Sequence, residues 1–131
     1  MQPALPNVVE VLQGMLDEGE VTMPAIGGDI AKPDIVELAY DATPIAALLS
    51  LLDASATLVE RLPSITCPTL IFTSRQDHIV DNACSDLLAE RVAGPVERVG
   101  LDRSFHVATL DFDAATIEAG TVDFARKVCA G

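Results

Sequence analysis

Aromatic residues are scarce in this 131-residue chain: one tyrosine, four phenylalanines and no tryptophan. Half of the residues are nevertheless hydrophobic, mostly Ala, Leu, Val and Ile. That mixture suits buried helices and parallel strands better than an exposed all-β sandwich. Positive charge is short as well. Eight Lys and Arg face twenty Asp and Glu, a net charge of −12. Nucleic acid requires a positive patch that displaces counterions, so the balance argues against it. It argues equally against an anionic membrane surface, and the acidity itself reads as solubility. Long apolar runs are missing, so no membrane span is expected. The N-terminus, MQPALPNVVE, lacks the basic start and apolar block of a signal peptide. The three cysteines, Cys67, Cys84 and Cys129, are widely spaced, odd in number and fit no zinc pattern. They are expected to be reduced thiols of a cytoplasmic protein, two of them buried. Repeats and low-complexity tracts are absent. The length allows one core and not two.

What is present falls into helices first and strands later. Asn7 followed by Glu10 resembles a helix-capping pair. Val8, Leu12 and Met15 then recur at helical spacing, which predicts a helix over about 7–17. Met23–Asp34 has the Pro and Gly content of an irregular loop. A second helix follows Pro44, with Ile45, Leu48, Leu49, Leu52 and Val59 as its inward stripe, and stops near Pro63. Thr69–Thr73 is continuously apolar, like a strand covered on both faces. Asp81 or Asn82 is expected to cap a helix over about 82–93, which Gly94-Pro95 ends. Val96–Leu101 reads as a strand with one side partly open, because Val96 alternates with Arg98. Asp113 is expected to cap a last helix packed through Ile117, Phe124 and Val128.

The order strand, helix, strand, helix after residue 64 predicts a right-handed crossover and a parallel pair. Asp77 and His106 then lie in turns at the carboxyl ends of neighbouring strands. In open α/β sheets that edge binds ligands. Histidine can take a hydroxyl proton near neutral pH and return it to a leaving group. A carboxylate on the other ring nitrogen fixes the tautomer and stabilises the imidazolium. Asp77 and His106 fit those two roles. The competing reading makes Asp77 a turn residue and His106 a satisfied loop histidine. His78 adjoins Asp77 and reads as a turn or surface histidine. Asp86, Asp102, Asp111 and Asp113 read as solvated or capping carboxylates, with Asp111 the main rival acid. Two strands alone make a poor sheet, so this half looks like the end of a larger one whose other strands lie outside the chain.

The run ITCPTLIFTSRQDHIV, then GPVERVGLDRSFHVATLD, then a final helix, resembles the C-terminal part of α/β-hydrolases. More narrowly it is similar to the bacterial carboxylesterase and monoacylglycerol lipase group. Asp77-His78-Ile79-Val80 matches that group's acid turn, D-H-x-V. Ser104 to Asp111, SFHVATLD, matches its base turn, S-x-H-V-x-T-x-D. Residues 29–65 resemble the helical cap that the group inserts ahead of the acid. The resemblance implies a partial α/β-hydrolase fold in three parts. These are a connecting segment and helix over 1–20, a helical cap over 21–63, and the C-terminal part of the core over 64–131. It implies Asp77 as triad acid, His106 as triad base, and an apolar acyl pocket under the cap; by position Ile79 and Val107 are candidates to line it, with packing the favoured role for each. The substrate would be a small ester or a monoacylglycerol. No metal or organic cofactor is implied.

One part of the group's pattern is missing. The nucleophilic serine stands in a G-x-S-x-G elbow, and no such elbow occurs in this sequence. Ser50 and Ser55 fall in the second predicted helix, Ser64 precedes a strand, Ser74 and Ser104 belong to the two turns, and Ser85 is helical. Gly27-Gly28-Asp29 is a poor substitute for the oxyanion-hole donors, because it sits in the cap. The sequence therefore suggests the acid and base part of a serine ester hydrolase, inactive alone, needing a complementing N-terminal segment. A non-catalytic module that associates through its exposed sheet edge, with another copy or another chain, is the alternative. A hydrolase in which Asp77 itself attacks is a weaker third, since that nucleophile would also need an elbow.

Overall fold

A computed structural model describes residues 6–130. Helix α1 spans Pro6–Asp17. It already includes Asn7, so it begins ahead of the expected cap; the Asn7 side chain lies outside the described residues. Leu12 is the buried residue of this helix, whereas Val8 is exposed. Two three-residue strands follow, β1 (Thr22–Pro24) and β2 (Ala42–Pro44), paired antiparallel. No strand is expected here from the sequence, because three residues ending in proline are too short to show an alternation. Helix α2 (Ile45–Arg61) starts directly from β2, with Ile45 fully buried. A short 3-10 turn, Leu62–Ser64, ends it at the proline.

The second half holds the parallel pair. Strand β3 (Thr69–Ser74) and strand β4 (Val96–Leu101) run in register from Thr69 opposite Val96 to Ser74 opposite Leu101. Helix α3 (Ala83–Arg91) makes the crossover, and α4 (Ala114–Cys129) closes the chain. Successive strand residues point to opposite faces. Thr73 shares a depression with Asn82 and Asp86 at the start of α3, and Phe72 points at Gly120 of α4. The two helices therefore cover opposite faces of the pair. A Cβ on Gly120 would stand 2.9 Å from the Phe72 ring, so a larger residue there would force the ring to shift. Among the described residues the buried apolar ones are Leu12, Ile45, Leu62, Ile71, Val92 and Leu101.

The two sides of the pair differ. Thr69 and Arg75 donate their amides across to Pro95 and Leu101. In a parallel ladder the direction alternates along the strand, so Leu70, Phe72 and Ser74 turn their backbone groups away from β4. Among the described residues no strand receives them. The outer strand β4 carries Glu97 and Arg98, paired with Lys127 and Asp86, charges of the kind that protect a sheet edge. The apolar β3 reads as an interior strand with one neighbour.

Several expectations need correction. None of the cysteines is buried: Cys67 and Cys129 are exposed and Cys84 is half-buried. Cys67 stands at the open amino end of β3 and Cys129 at the last turn of α4, and neither end is covered. Val128 is exposed for the same reason. Asn82 holds the N-cap position of α3 but makes no side-chain cap; Asp81 Oδ1 accepts the Ala83 amide at 2.8 Å instead.

The crossover is tied at its base. Ala93 and Gly94 both donate to the Ile65 carbonyl at 3.0 Å. A Cβ on Gly94 would lie 2.2 Å from the Cys67 carbonyl oxygen, backbone that cannot yield. Gly94→Ala is expected to cost about 3 kcal/mol or more. Gly14→Ala, on a helix position with nothing within 4 Å, should instead stabilise by ~0.5–1 kcal/mol. Urea unfolding followed by circular dichroism checks both signs.

Candidate active site

The chain after β3 must turn sharply, and Asp77 makes that turn by accepting backbone amides. Its Oδ1 takes the N–H groups of Ile79 and Val80, each at 2.8 Å. This Asx-type geometry leaves Oδ2 free to point across the sheet edge. There it meets Nδ1 of His106 at 3.0 Å, across 29 positions of sequence. The carboxylate is mostly enclosed, with its side chain 14% exposed, while the imidazole is 40% exposed. Burial pushes the Asp77 carboxyl up, but the Val80 amide, the His106 ring bond, the Ile79 amide and the His106 charge outweigh it. Its pKa lies below the ordinary carboxylate value. Among the described residues Nε2 of His106 has no hydrogen-bond partner.

The turn that holds His106 has no ladder from residue 102 onward. Three carboxylates organise it. Asp113 accepts the Arg103 amide and the Ser104 hydroxyl, each at 2.9 Å. Its side chain is thereby turned away from capping α4, although it stands at the N-cap position. Asp111 is neither solvated nor a cap, nor does it touch a histidine. It is 2% exposed and accepts four amides: Ala31 at 2.7 Å, Phe112 at 2.8 Å, and Lys32 and Phe105 at 2.9 Å. Burial raises its pKa, yet those amides lower it further, and the net shift is downward. The third carboxylate, Asp29, lies in the loop of Gly27-Gly28-Asp29. It accepts the His106 amide at 3.0 Å and the His78 amide at 3.3 Å through Oδ2, and meets Nδ1 of His78 at 2.8 Å through Oδ1.

His78 is an exposed turn histidine, as its sequence reading has it, but it is paired with Asp29 and edge-on to Phe105. Asp29 is the residue that sequence reasoning missed. Its only signal was a polar residue after two glycines in a loop. Those glycines do not make a pair of free donors, because the Gly28 amide donates to Glu37 Oε2 at 3.0 Å. Three of the serines are engaged elsewhere: Ser74 donates to the Ser104 carbonyl, Ser64 to Arg61, and Ser104 to Asp113. Asp86 and Asp102 are surface partners of Arg98 and Arg75. Ile79 is exposed and lines a depression of about 370 Å³ with Asp77, His78, Val80, Asp81 and Asn82. Val107 is half-buried, is not in that lining, and donates its amide to the Asp29 carbonyl at 3.1 Å. No group of three or more His, Cys, Asp or Glu among the described residues could hold a metal.

Parallel strands covered by helices on both faces, with an Asp–His contact at their carboxyl ends, define an α/β hydrolase class of architecture. The comparison with known proteins agrees. The chain belongs to the family described as serine aminopeptidase, S33, whose profile matches residues 32–112. It is 37% identical over 124 residues to the thermostable monoacylglycerol lipase of Bacillus sp. (strain H-257), a match covering 92% of this chain and 50% of that protein. It is also similar to a solved structure reported for LipS and LipT, described as two metagenome-derived lipolytic enzymes. That match has a TM-score of 0.86 and 33% identity, and covers 96% of this chain and 51% of the other. The chain spans about half the length of these relatives and corresponds to the C-terminal part of an α/β hydrolase. No helix among the described residues is long and apolar enough to cross a membrane.

Asp29, Asp77 and Asp111 all have pKa values below the ordinary 3.8. Their contribution to stability is complete above that value and is lost as pH falls through the lower, folded values. Unfolding midpoints in urea should therefore drop below about pH 4. Asp111→Asn should cost about 2–4 kcal/mol at pH 7 and show a shallower acid loss than the unsubstituted chain. An equal acid loss in both would show that Asp111 titrates normally.

Proposed function

We propose that this chain supplies the acid–base half of a serine hydrolase acting on carboxylic esters, with Asp77 as the orienting acid and His106 as the base. The observation that carries the reading is the 3.0 Å contact between Asp77 Oδ2 and His106 Nδ1. A ring that donates from Nδ1 presents the lone pair of Nε2, which is the state a general base needs. In the complete enzyme a serine hydroxyl meets Nε2. As its oxygen attacks the ester carbonyl, His106 takes the proton, and Asp77 stabilises the imidazolium. His106 then protonates the departing alkoxide, and the acyl-enzyme is hydrolysed by water activated in the same way.

The serine and the oxyanion donors are supplied by a segment outside these residues. The absence of a G-x-S-x-G elbow supports this, as does the open side of β3, where a further parallel strand would add. The relatives support a small ester or a monoacylglycerol as substrate. The same open edge also favours self-association of the chain, the second reading, and that outcome is a concentration-dependent dimer without reactivity toward a fluorophosphonate probe.

Purified alone, the chain should not sustain turnover of a short p-nitrophenyl ester. Each oxyanion donor it lacks is worth on the order of 3–4 kcal/mol of barrier. Combined with an N-terminal α/β-hydrolase segment bearing the elbow, it should turn the ester over. Asp77→Asn should then lower kcat by about 10⁴-fold and His106→Ala by about 10⁶-fold. Turnover by the lone chain that His106→Ala abolishes would overturn the external serine, and a combined enzyme indifferent to His106→Ala would overturn the pair.

A further inference from the structure

Asp29 lies 77 positions ahead of His106 in sequence, yet it holds that residue's backbone. Several amides of the turn between β4 and α4 have no ladder or helix partner, and those of Arg103, Phe105, His106 and Val107 surround the imidazole. Asp113 and Asp111 take the first two. Asp29 takes the other two, His106 through its carboxylate and Val107 through its carbonyl. The carboxylate is aimed by a second contact, since Oδ1 meets the His78 ring at 2.8 Å. The loop that bears it is tied down in turn by Asp111, through Ala31 and Lys32. Burial acts to raise the Asp29 pKa, but the His78 ring, the His106 and His78 amides and the His78 charge bring it below the ordinary value. The acceptor is therefore ionised at neutral pH, and a charged acceptor makes a stronger bond to an amide.

A half-exposed imidazole has other rotamers available, and a shift of about 1 Å in its backbone is enough to spoil an aligned proton transfer. Asp77 fixes the ring, but only if the turn brings the ring to it. We infer that Asp29 is a positioning residue for His106: by holding the His106 amide it sets the turn at which Nδ1 meets Asp77. The inference rests on the reading of Asp77 and His106 as an acid–base pair. It adds that the loop over 27–32, far upstream in sequence, is part of the mounting of the base. Wherever that loop is unseated, the His106 ring loses its single orientation.

The test is nuclear magnetic resonance of the chain with labelled histidine side chains. In the unsubstituted chain the neutral His106 ring should be one tautomer, with a downfield, exchange-protected Nδ1–H bonded to Asp77. In Asp29→Ala that proton should broaden into solvent exchange, and the two ring nitrogens should shift toward a tautomer average while the β3 and β4 amides keep their shifts. Asp29→Asn, which keeps an acceptor for the amide, should restore most of the signal. An unchanged His106 Nδ1–H in a folded Asp29→Ala chain overturns the proposal. If Asp29→Ala does not fold, amide exchange in Asp29→Asn decides. A rise of about two- to threefold at His106, from the weaker neutral acceptor, with Phe105 unchanged on Asp111, supports it, and no rise at His106 overturns it. An equal rise at both amides marks general destabilisation and overturns it. The readouts are the ring and amide of His106 and not ester turnover, so failure here leaves the acid–base reading standing, and a failed ester assay leaves this one.

Discussion

Two carboxylates exchanged between distant segments hold the site together. Asp29 reaches from an upstream loop into the turn of His106, and Asp111 reaches from the far side of that turn back into the loop. Apart from one 3-10 turn over Ala108–Leu110, neither segment has regular structure, so neither could keep its shape by a backbone ladder. Their amides would be costly to leave unpaired in a partly buried place. Ionised oxygens solve this, because each accepts more than one N–H and binds it more strongly than a neutral acceptor would. The same device shapes the turn after β3, where Asp77 binds two amides with one oxygen and the His106 ring with the other. The negative charge conspicuous in the composition is, in these three residues, internal scaffolding.

The sheet explains why the two turns meet at all. Neighbouring parallel strands finish at the same edge, and a register pairing Ser74 with Leu101 makes them finish level. Side chains a few residues beyond each end then face each other across a strand spacing. Two helices cover the faces of this pair, but β3 keeps a row of outward backbone groups. The chain is thus closed around its Asp–His contact and open along the far side of β3.

Much of this was legible in the residues, for identifiable reasons. Strands β3 and β4 are marked by unbroken or alternating apolar runs between turn residues, and the strand–helix–strand spacing admits one sensible crossover. The proximity of Asp77 and His106 follows from that topology, not from their separation in sequence. What was not legible depends on contacts between irregular segments. Nothing in the sequence near Asp29 says that its oxygens serve amides beyond residue 77. Asp111, three positions before α4, reads as a surface carboxylate until the loop over 29–32 is laid against it. The strands β1 and β2 are too short to show a period. Two of the three cysteines read as buried because free thiols usually are, and here Cys67 and Cys129 are exposed.

The tie at Gly94 has a consequence for how such a chain can vary. It anchors the start of β4 against the segment leading into β3, so the length of each strand beyond the anchor acts as a ruler for where its turn emerges. Adding or removing one residue in either strand would rotate every later side chain to the opposite face and carry Asp77 or His106 out of reach of the other. Between that anchor and those two residues the chain should accept exchanges of side chain far more readily than changes in count.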